Sequence, residues 1–459
     1  MVATPACLRK NTGAVRSLLI CRKDEFTGVA MSPVTDHPLR YATVNELHAR
    51  PFPTVSLPST VALVAFMQPE NAAGRDRSED LAHLSDLVTR AGGVLPEPGA
   101  THYSGALGRS EVKWESHTEF VSYSAFTPGL SPRPFDPAEA DVFPKDWRAK
   151  APGLRLISLL VRVEEMPEDE GELLAKLEHW FVPESLAASR IIEGSGVIAG
   201  DFRIDPAGHM RFAVFVKRGT GPRRIGRIVQ RLCELETYRT MSMLGLHQAR
   251  MLTSALNDLD PRLTDLVEGL EGEEGGRSPD ETLHALLSIT AELERLAVSG
   301  AFRFGATSAY EAILHQRVSI MGEERLSGRQ TFGEFMTRRF DPAMRTVKSA
   351  ESRLRALSER ATRAAELLRT RVEVERSAEN QALLESMDRR ADLQLRLQHT
   401  VEGLSVVAIG YYAVNLCTYL LYPLAKPAGL GKELLTGALV LPVVFLVWLG
   451  LRRIRRKFH

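Results

Sequence analysis

The chain carries almost no net charge, with 58 basic and 57 acidic residues among 459. This balance argues against a strongly basic nucleic-acid-binding surface, so we do not expect nucleic acid as a partner. Cysteine is also scarce, and the four cysteines include no CxxC pair, which argues against a disulfide framework and a zinc site. The phosphate-loop, HExxH and serine-elbow motifs are missing as well, so we expect no cofactor and no resident metal.

Residues 1–36 show no clear periodicity and no secretory signal, because the longest apolar run after Arg9 and Lys10 has four residues. We interpret them as a disordered leader or as the product of a misassigned start, with Met31 as the true first residue.

Residues 37–220 are predicted to form an α/β or α+β cytosolic domain. Strand-like runs occur at 59–67, 110–126, 154–163, 197–204 and 209–216, with helices at about 78–91 and 170–180. Residues 221–342 read as a helical region, with predicted helices at 226–252, about 280–299 and about 306–326.

Residues 343–402 contain neither proline nor glycine and are rich in good helix formers, which predicts one stalk helix about 90 Å long. Apolar residues within it alternate in steps of three and four from Val347 to Leu368, and this heptad seam requires a helical partner. The partner is either another helix of the same chain, in an antiparallel bundle, or a second copy of the chain.

Two apolar runs follow at 403–424 and 434–451, and together they predict a transmembrane hairpin. Basic residues precede the first run and fill the tail 452–459, whereas the short loop between the runs carries only Lys426, Lys432 and Glu433. By the positive-inside rule both termini face the cytosol, which predicts a multi-pass protein of the bacterial inner membrane.

A polar stripe lies along the first apolar run, because helical periodicity aligns Tyr411, Asn415, Thr418 and Tyr422. Asn415 either hydrogen-bonds between helices or faces water in a pore. The stripe contains no charge and therefore attracts divalent ions only weakly, which favours helix association.

Two short stretches group residues that could bind a metal or transfer protons. The stretch NELHARPF supplies Glu46, His48 and Arg50, and the stretch KWESHTEF supplies the catalytic candidates Glu115, His117 and Glu119. Neither has the HExxH spacing, and on a single strand the last three would share one face as a polar edge.

The stretches HPLRYATVNELHARPF, KWESHTEFVSY, GRIVQRLCELETYRTM and RADLQLRLQHTVEGLSVVAIGYY resemble a bacterial family of uncharacterised, membrane-anchored proteins, defined only as a domain of unknown function. The resemblance runs from about residue 37 onwards and implies no catalytic residue. At the level of layout the chain is also similar to the CorA-type divalent-cation channels. Their Gly-Met-Asn triplet is absent here, and Asn415 lies in the middle of the first run.

These observations leave three functional hypotheses. The first is a membrane-anchored scaffold or regulatory module, with the lipid bilayer as partner and with homo-oligomers formed through the long helix and the hairpin. The second is a CorA-like oligomeric transporter of divalent cations. The third is a membrane-tethered enzyme that uses the His/Glu stretches.

Overall fold

A computed structural model describes residues 36–46, 52–269, 278–425 and 431–458. The predicted leader, residues 1–36, therefore lies outside the described residues apart from residue 36. The chain divides into two compact units. The first unit comprises Met1–Met241 and Tyr310–Asp341, and the second comprises Ser242–Ala309 and Pro342–His459.

The first unit is built on a mixed sheet of nine strands in the order β2-β3-β4-β1-β5-β8-β7-β6-β9. Among the described strands, only β5 and β8 pair in parallel, and the other neighbours are antiparallel. The strands are β1 Ser59–Met67, β2 His102–Leu107, β3 Ser110–Ser116, β4 Phe120–Pro128, β5 Leu154–Glu165, β6 Ala187–Ile191, β7 Gly196–Ile204, β8 Met210–Val216 and β9 Glu324–Arg325.

The main core lies on one face of this sheet. Alternate strand residues such as Val64, Trp114 and Tyr123 pack there with Leu84 and Leu177 from two helices. The short helices of this unit are α1 Arg40–Glu46, α2 Arg77–Arg90, α3 Lys145–Arg148 and α4 Glu170–Trp180, with 3-10 turns at Ala72–Gly74 and Pro137–Val142.

The opposite face of the sheet is also buried, and the start of helix α5 (Pro222–Glu268) lies near it. Lys113 points away from Trp114, and its charge acts on the thiol of Cys233 in α5. Burial raises the pKa of Cys233 to about 12. Gly226 lets α5 approach the chain closely, because a Cβ atom there would lie 1.8 Å from the carbonyl oxygen of Pro53.

Helix α6 (Pro279–Met321) is one continuous helix, so the prediction of two helices with a break near residue 300 was wrong. The small-residue stretch around Gly300 weakened the helical pattern in the sequence. Buried side chains on both sides of it, such as Leu293 and Phe304, supply the packing that holds the helix together.

The long helix is confirmed. It begins as α7 (Phe332–Phe335), passes through a π-helical turn (Met336–Phe340) and continues as α8 (Asp341–Ala425). A capping box of Thr331 and Glu334 closes its first turn. The carboxylate of Glu323 also accepts hydrogen bonds there, from the backbone N–H groups of Phe332 (3.2 Å) and Gly333 (2.8 Å).

In the second unit the α8 seam is buried within the single chain, from Val347 to Leu368. Helix α5 runs parallel to α8 there, because Asp260 contacts Arg353 and Thr264 contacts Arg360. From residue 373 to residue 401 every position of α8 is exposed. Helix α9 (Lys432–Phe458), which is apolar over most of its length, completes the described chain.

Candidate functional site

The end of α8 and most of α9 carry the two apolar runs, and each is long and apolar enough to cross a membrane. Only 17% of the apolar window in α8 and 6% of that in α9 is buried. The core helix of a soluble protein would have most of such a run covered by other residues. These two helices instead present large apolar side chains to their surroundings.

The two apolar helices contact each other at widely separated points. A Cβ atom at Gly410 would lie 3.6 Å from a methyl group of Val444, and the ammonium of Lys432 lies 5.2 Å from the centre of the Tyr419 ring. Small residues on such a face allow close approach of two helices, which is how helices pack in lipid.

The four residues of the polar stripe on α8 differ in exposure. Thr418 is 3% exposed on the contact face, and its hydroxyl donates to the carbonyl oxygen of Val414 at 2.8 Å. Asn415 and Tyr422 are half-buried, whereas Tyr411 is exposed at the outer surface. Since the Thr418 hydroxyl is satisfied within its own helix, Asn415 supplies the main hydrogen-bonding capacity near the middle of the run.

Basic residues flank both apolar runs. Arg389, Arg390 and Arg396 are exposed before the first run. After the second run, the guanidinium of Arg452 lies 5.1 Å from the centre of the Trp448 ring. Tryptophan beside arginine at the end of an apolar helix is typical of a membrane interface.

The KWESHTEF stretch does not form one strand face, because β3 ends at Ser116 and the chain turns before β4. Glu115 forms an ion pair with Lys113 at 3.2 Å. His117 stacks on Phe120 with ring centres 4.1 Å apart. Glu119 is fully buried and accepts a hydrogen bond from the hydroxyl of Tyr310 at 3.0 Å.

Each of the three candidates contacts at least one other side chain. His117 has the Ser122 hydroxyl 3.3 Å from its Nε2 atom, but a base beside a hydroxyl also requires a substrate cleft. Glu115 pairs with Lys113 of its own strand, whereas Glu119 links the turn before β4 to Tyr310 of α6. The geometry therefore supports structural roles better than catalysis.

Arg75 binds the backbone of the turn between β3 and β4, and the sequence did not predict this role. Its guanidinium pairs with Asp80 at 2.8 Å and donates to the carbonyl oxygens of Thr118 (2.6 Å), His117 (2.8 Å) and Phe120 (3.1 Å). Both side chains of the ion pair are almost completely buried. A lone arginine in a polar segment has no distinguishing pattern, so only the tertiary contacts identify it.

The NELHARPF candidates cannot be placed as a site. Glu46 is the last residue of α1, and its side chain lies outside the described residues, as do His48 and Arg50.

A cleft of about 480 Å³ lies between the β2–β3 turn, the end of β4 and the 3-10 turn Pro137–Val142. Glu139 is its central acidic group and accepts hydrogen bonds from the Thr60 hydroxyl and the Ser131 N–H, each at 3.0 Å. Burial raises the pKa of Glu139. Among the described residues that line this cleft there is no histidine, cysteine or lysine, and its hydroxyl groups belong to Thr60, Ser110, Thr127 and Ser131.

Within the described ranges, no three His, Cys, Asp or Glu side chains lie together as a metal site.

Comparison with known families shows which family the chain belongs to. A model of the family described as a protein of unknown function, DUF3422, matches residues 35–458, so the chain belongs to this family. Among curated proteins, none matches the chain significantly.

Proposed function

We propose that this protein is anchored in a membrane by a hairpin of the apolar ends of α8 and α9. The observation that carries the proposal is that both runs are exposed to their surroundings yet contact each other at Gly410–Val444 and Lys432–Tyr419. A lipid environment removes the cost of exposing these side chains, since the hydrocarbon core is as apolar as they are. α8 ends at Ala425 and α9 begins at Lys432, which leaves room only for a short connection.

We infer a topology with both ends of the hairpin in the cytosol of a bacterium. Arginines cluster before the first run and after the second, while the connection has lysines 426 and 432 and one acid. Basic residues next to a span are retained on the cytosolic side. The mixed-sheet unit then lies in the cytosol, and the membrane is the inner membrane.

The role that fits this arrangement is a scaffold or regulatory module held at the cytosolic membrane surface. The exposed stretch of α8 at 373–401 is about 42 Å of single helix between the buried seam and the apolar run. Such a helix separates the packed helices of the second unit from the bilayer. Homo-oligomers would form through the exposed part of the long helix and through the hairpin, because the seam from Val347 to Leu368 is buried within one chain.

Cysteine accessibility in intact cells tests the topology. In a cysteine-free background, Gly431→Cys is expected to react with a membrane-impermeant maleimide before lysis. Arg453→Cys, and the control Ser377→Cys on the exposed helix, should react only after lysis. Protection of Gly431→Cys together with labelling of Arg453→Cys would refute the proposed orientation.

A second candidate function is transport of a divalent cation. The observation that favours it is the element order, with a mixed sheet followed by a very long helix that leads into two apolar helices, as in the layout of the CorA-type channels. Asn415, half-buried in the first run, would be the residue that replaces part of an ion's hydration shell.

Flux into liposomes separates the two candidates. For an anchor we expect no Mg²⁺ uptake by proteoliposomes above that of protein-free vesicles. Asn415→Leu should then weaken helix association without any effect on flux. Clear uptake that is lost in Asn415→Leu would make transport the leading function.

A further inference from the structure

The cleft beside Glu139 has a row of polar side chains on the core face of the sheet. In the strand register Thr60 of β1 lies between Thr127 of β4 and Arg162 of β5, and the hydroxyl of Ser110 in β3 lies 2.8 Å from that of Thr127. Two positions away on each of these strands, the residues on the same face belong to the hydrophobic core: Val112, Ala125, Ala62 and Leu160. Polar residues therefore replace the core at this end of the sheet, and three of the four line the cleft.

Glu139 contacts this row and is incompletely paired. Its Oε1 atom accepts hydrogen bonds from the Thr60 hydroxyl and the Ser131 N–H. Its Oε2 atom is also buried, and in the described part of the chain it has no hydrogen-bond partner. The guanidinium of Arg162, whose charge acts on Glu139, instead donates to Glu164 and to the carbonyl oxygen of Ser131. A buried carboxylate oxygen without a donor is unfavourable, and an ammonium group would supply both the donor and the compensating charge.

Arg109 supplies the opposite charge at the other end of the row. It lies in the tight turn between β2 and β3, and it is the only basic residue among the described residues that line the cleft. Ser110, the next residue, lies two strands away from Thr60, which is roughly 10 Å at the usual strand spacing. The long side chain of arginine can shorten this gap, and its planar guanidinium binds a carboxylate through two hydrogen bonds. One small ligand with an ammonium and a carboxylate group can therefore contact Glu139 and Arg109 together.

The size and the apolar part of the lining restrict the ligand further. The volume of about 480 Å³ falls within the range of small-molecule sites, and Leu107, Leu130 and Val142 contribute apolar surface. Among the described lining residues there is one acid, Glu139, and one base, Arg109. Neither a polyphosphate nor a bare divalent cation finds the several opposite charges that it requires. A small zwitterion with an apolar side chain matches the acid, the base and the apolar surface.

We propose that this cleft binds a free α-amino acid with an apolar side chain, whose ammonium group pairs with Glu139 and whose carboxylate pairs with Arg109. The side chain of the ligand lies against Leu107, Leu130 and Val142. The site goes beyond the proposed membrane anchor, because all of its residues belong to the first unit, which contains neither apolar run. The amino acid would be the signal that a regulatory module of this kind detects.

Calorimetric titration of the detergent-solubilised full-length protein tests the pairing. The probes are L-leucine, L-valine and L-methionine, and the tightest of the three is compared with its decarboxylated analogue, an amine, and its deaminated analogue, an acid. We expect the amino acid to bind at least tenfold more tightly than either analogue, because only the amino acid contacts both charged residues. The proposal is overturned if none of the three binds at up to about 10 mM, or if either analogue binds as tightly as the amino acid.

Substitution of the two charged residues provides an independent measurement. Glu139→Gln keeps the oxygen that accepts from Thr60 and Ser131 but removes the charge. It should weaken binding of the amino acid at least tenfold and leave the affinity for the acid unchanged. Arg109→Gln, at an exposed turn position, should weaken binding of the amino acid and leave the affinity for the amine unchanged. Arg133→Gln, exposed and outside the lining, is the matched control and should bind like the wild type.

The melting temperature without ligand shows whether each variant is folded. If Glu139→Gln does not fold, Arg109→Gln decides the question, because its side chain is exposed and its loss leaves the core intact. Wild-type affinity for the amino acid in folded Glu139→Gln or in Arg109→Gln would refute the site, as would an equal loss of affinity in Arg133→Gln.

Discussion

Arg75→Met should unfold the β3–β4 corner of the sheet more readily than any surface substitution nearby. The guanidinium pairs with Asp80 and donates to backbone carbonyl oxygens of the turn at 117–120. The exposed fractions of the two paired side chains are 2% and 3%. Methionine keeps much of the volume but removes every donor, so a buried carboxylate and several carbonyl groups lose their partners.

The size of the expected loss of stability follows from the burial of the Arg75–Asp80 pair. Removing one partner of a buried ion pair costs about 3–5 kcal/mol, because the remaining charge is uncompensated. The orphaned carbonyl groups move the expected value towards the upper end. At about 2–4 °C per kcal/mol for a domain of this size class, the melting temperature should fall by roughly 6–20 °C.

The pH dependence gives a further check on Asp80. Burial already raises the pKa of Asp80, while Arg75 opposes that rise. Without Arg75 the folded-state pKa rises further, so the folded state binds a proton more readily than the unfolded state. Stability then increases as the pH falls towards and through that pKa. The loss of unfolding free energy in Arg75→Met relative to the wild type should therefore be largest near neutral pH and smaller in acid.

Tryptophan fluorescence of the detergent-solubilised protein can follow this transition, since Trp114 and Trp147 are fully buried in the same unit. The control is Arg77→Met, two positions away and exposed, for which a change within about 0.5 kcal/mol is expected. Adding Asp80→Asn to Arg75→Met should recover part of the loss. Equal melting temperatures for Arg75→Met and Arg77→Met would show that the buried pair contributes nothing.

Three further predictions concern other parts of the chain. Leu357→Glu places a charge in the buried seam of α8 and should cost several kcal/mol, whereas Leu367→Glu, 72% exposed, should change the melting temperature little. Gly245→Val drives a side chain into Thr307 and should cost about 1–3 kcal/mol in denaturant titrations, with partial rescue by Thr307→Ala. Burial lowers the pKa of the His83 side chain. The contribution of His83 to the free energy of unfolding is therefore present above the unfolded-state pKa of about 6.5 and is lost as pH falls below it. His83→Asn should reduce the loss of stability between pH 7.5 and 5.5, and an unchanged loss would contradict this assignment.

The regular elements of the fold were largely predictable. The strands expected at 197–204 and 209–216 are β7 and β8 to within one residue at each end, and the helix expected at 170–180 is α4. Strong local periodicity carried these predictions. Strands β2 and β6 were missed because each is short and has little alternation of its own. The break predicted in α6 was wrong because tertiary packing outweighed the low helix propensity of a small-residue stretch.

The candidate sites also divide into features that the sequence predicts and contacts that only the tertiary structure shows. The apolar runs, the long helix and the seam from Val347 to Leu368 follow from the sequence alone, because length, composition and helical periodicity are local properties. Only the tertiary structure decided that the seam is covered within one chain while Leu287, Val298 and Phe302 of α6 are exposed. It also decided that Glu115 pairs with Lys113, that Glu119 accepts a hydrogen bond from Tyr310 and that Arg75 binds the backbone of the turn between them. These facts depend on contacts between residues far apart in the chain, and local periodicity carries no information about them.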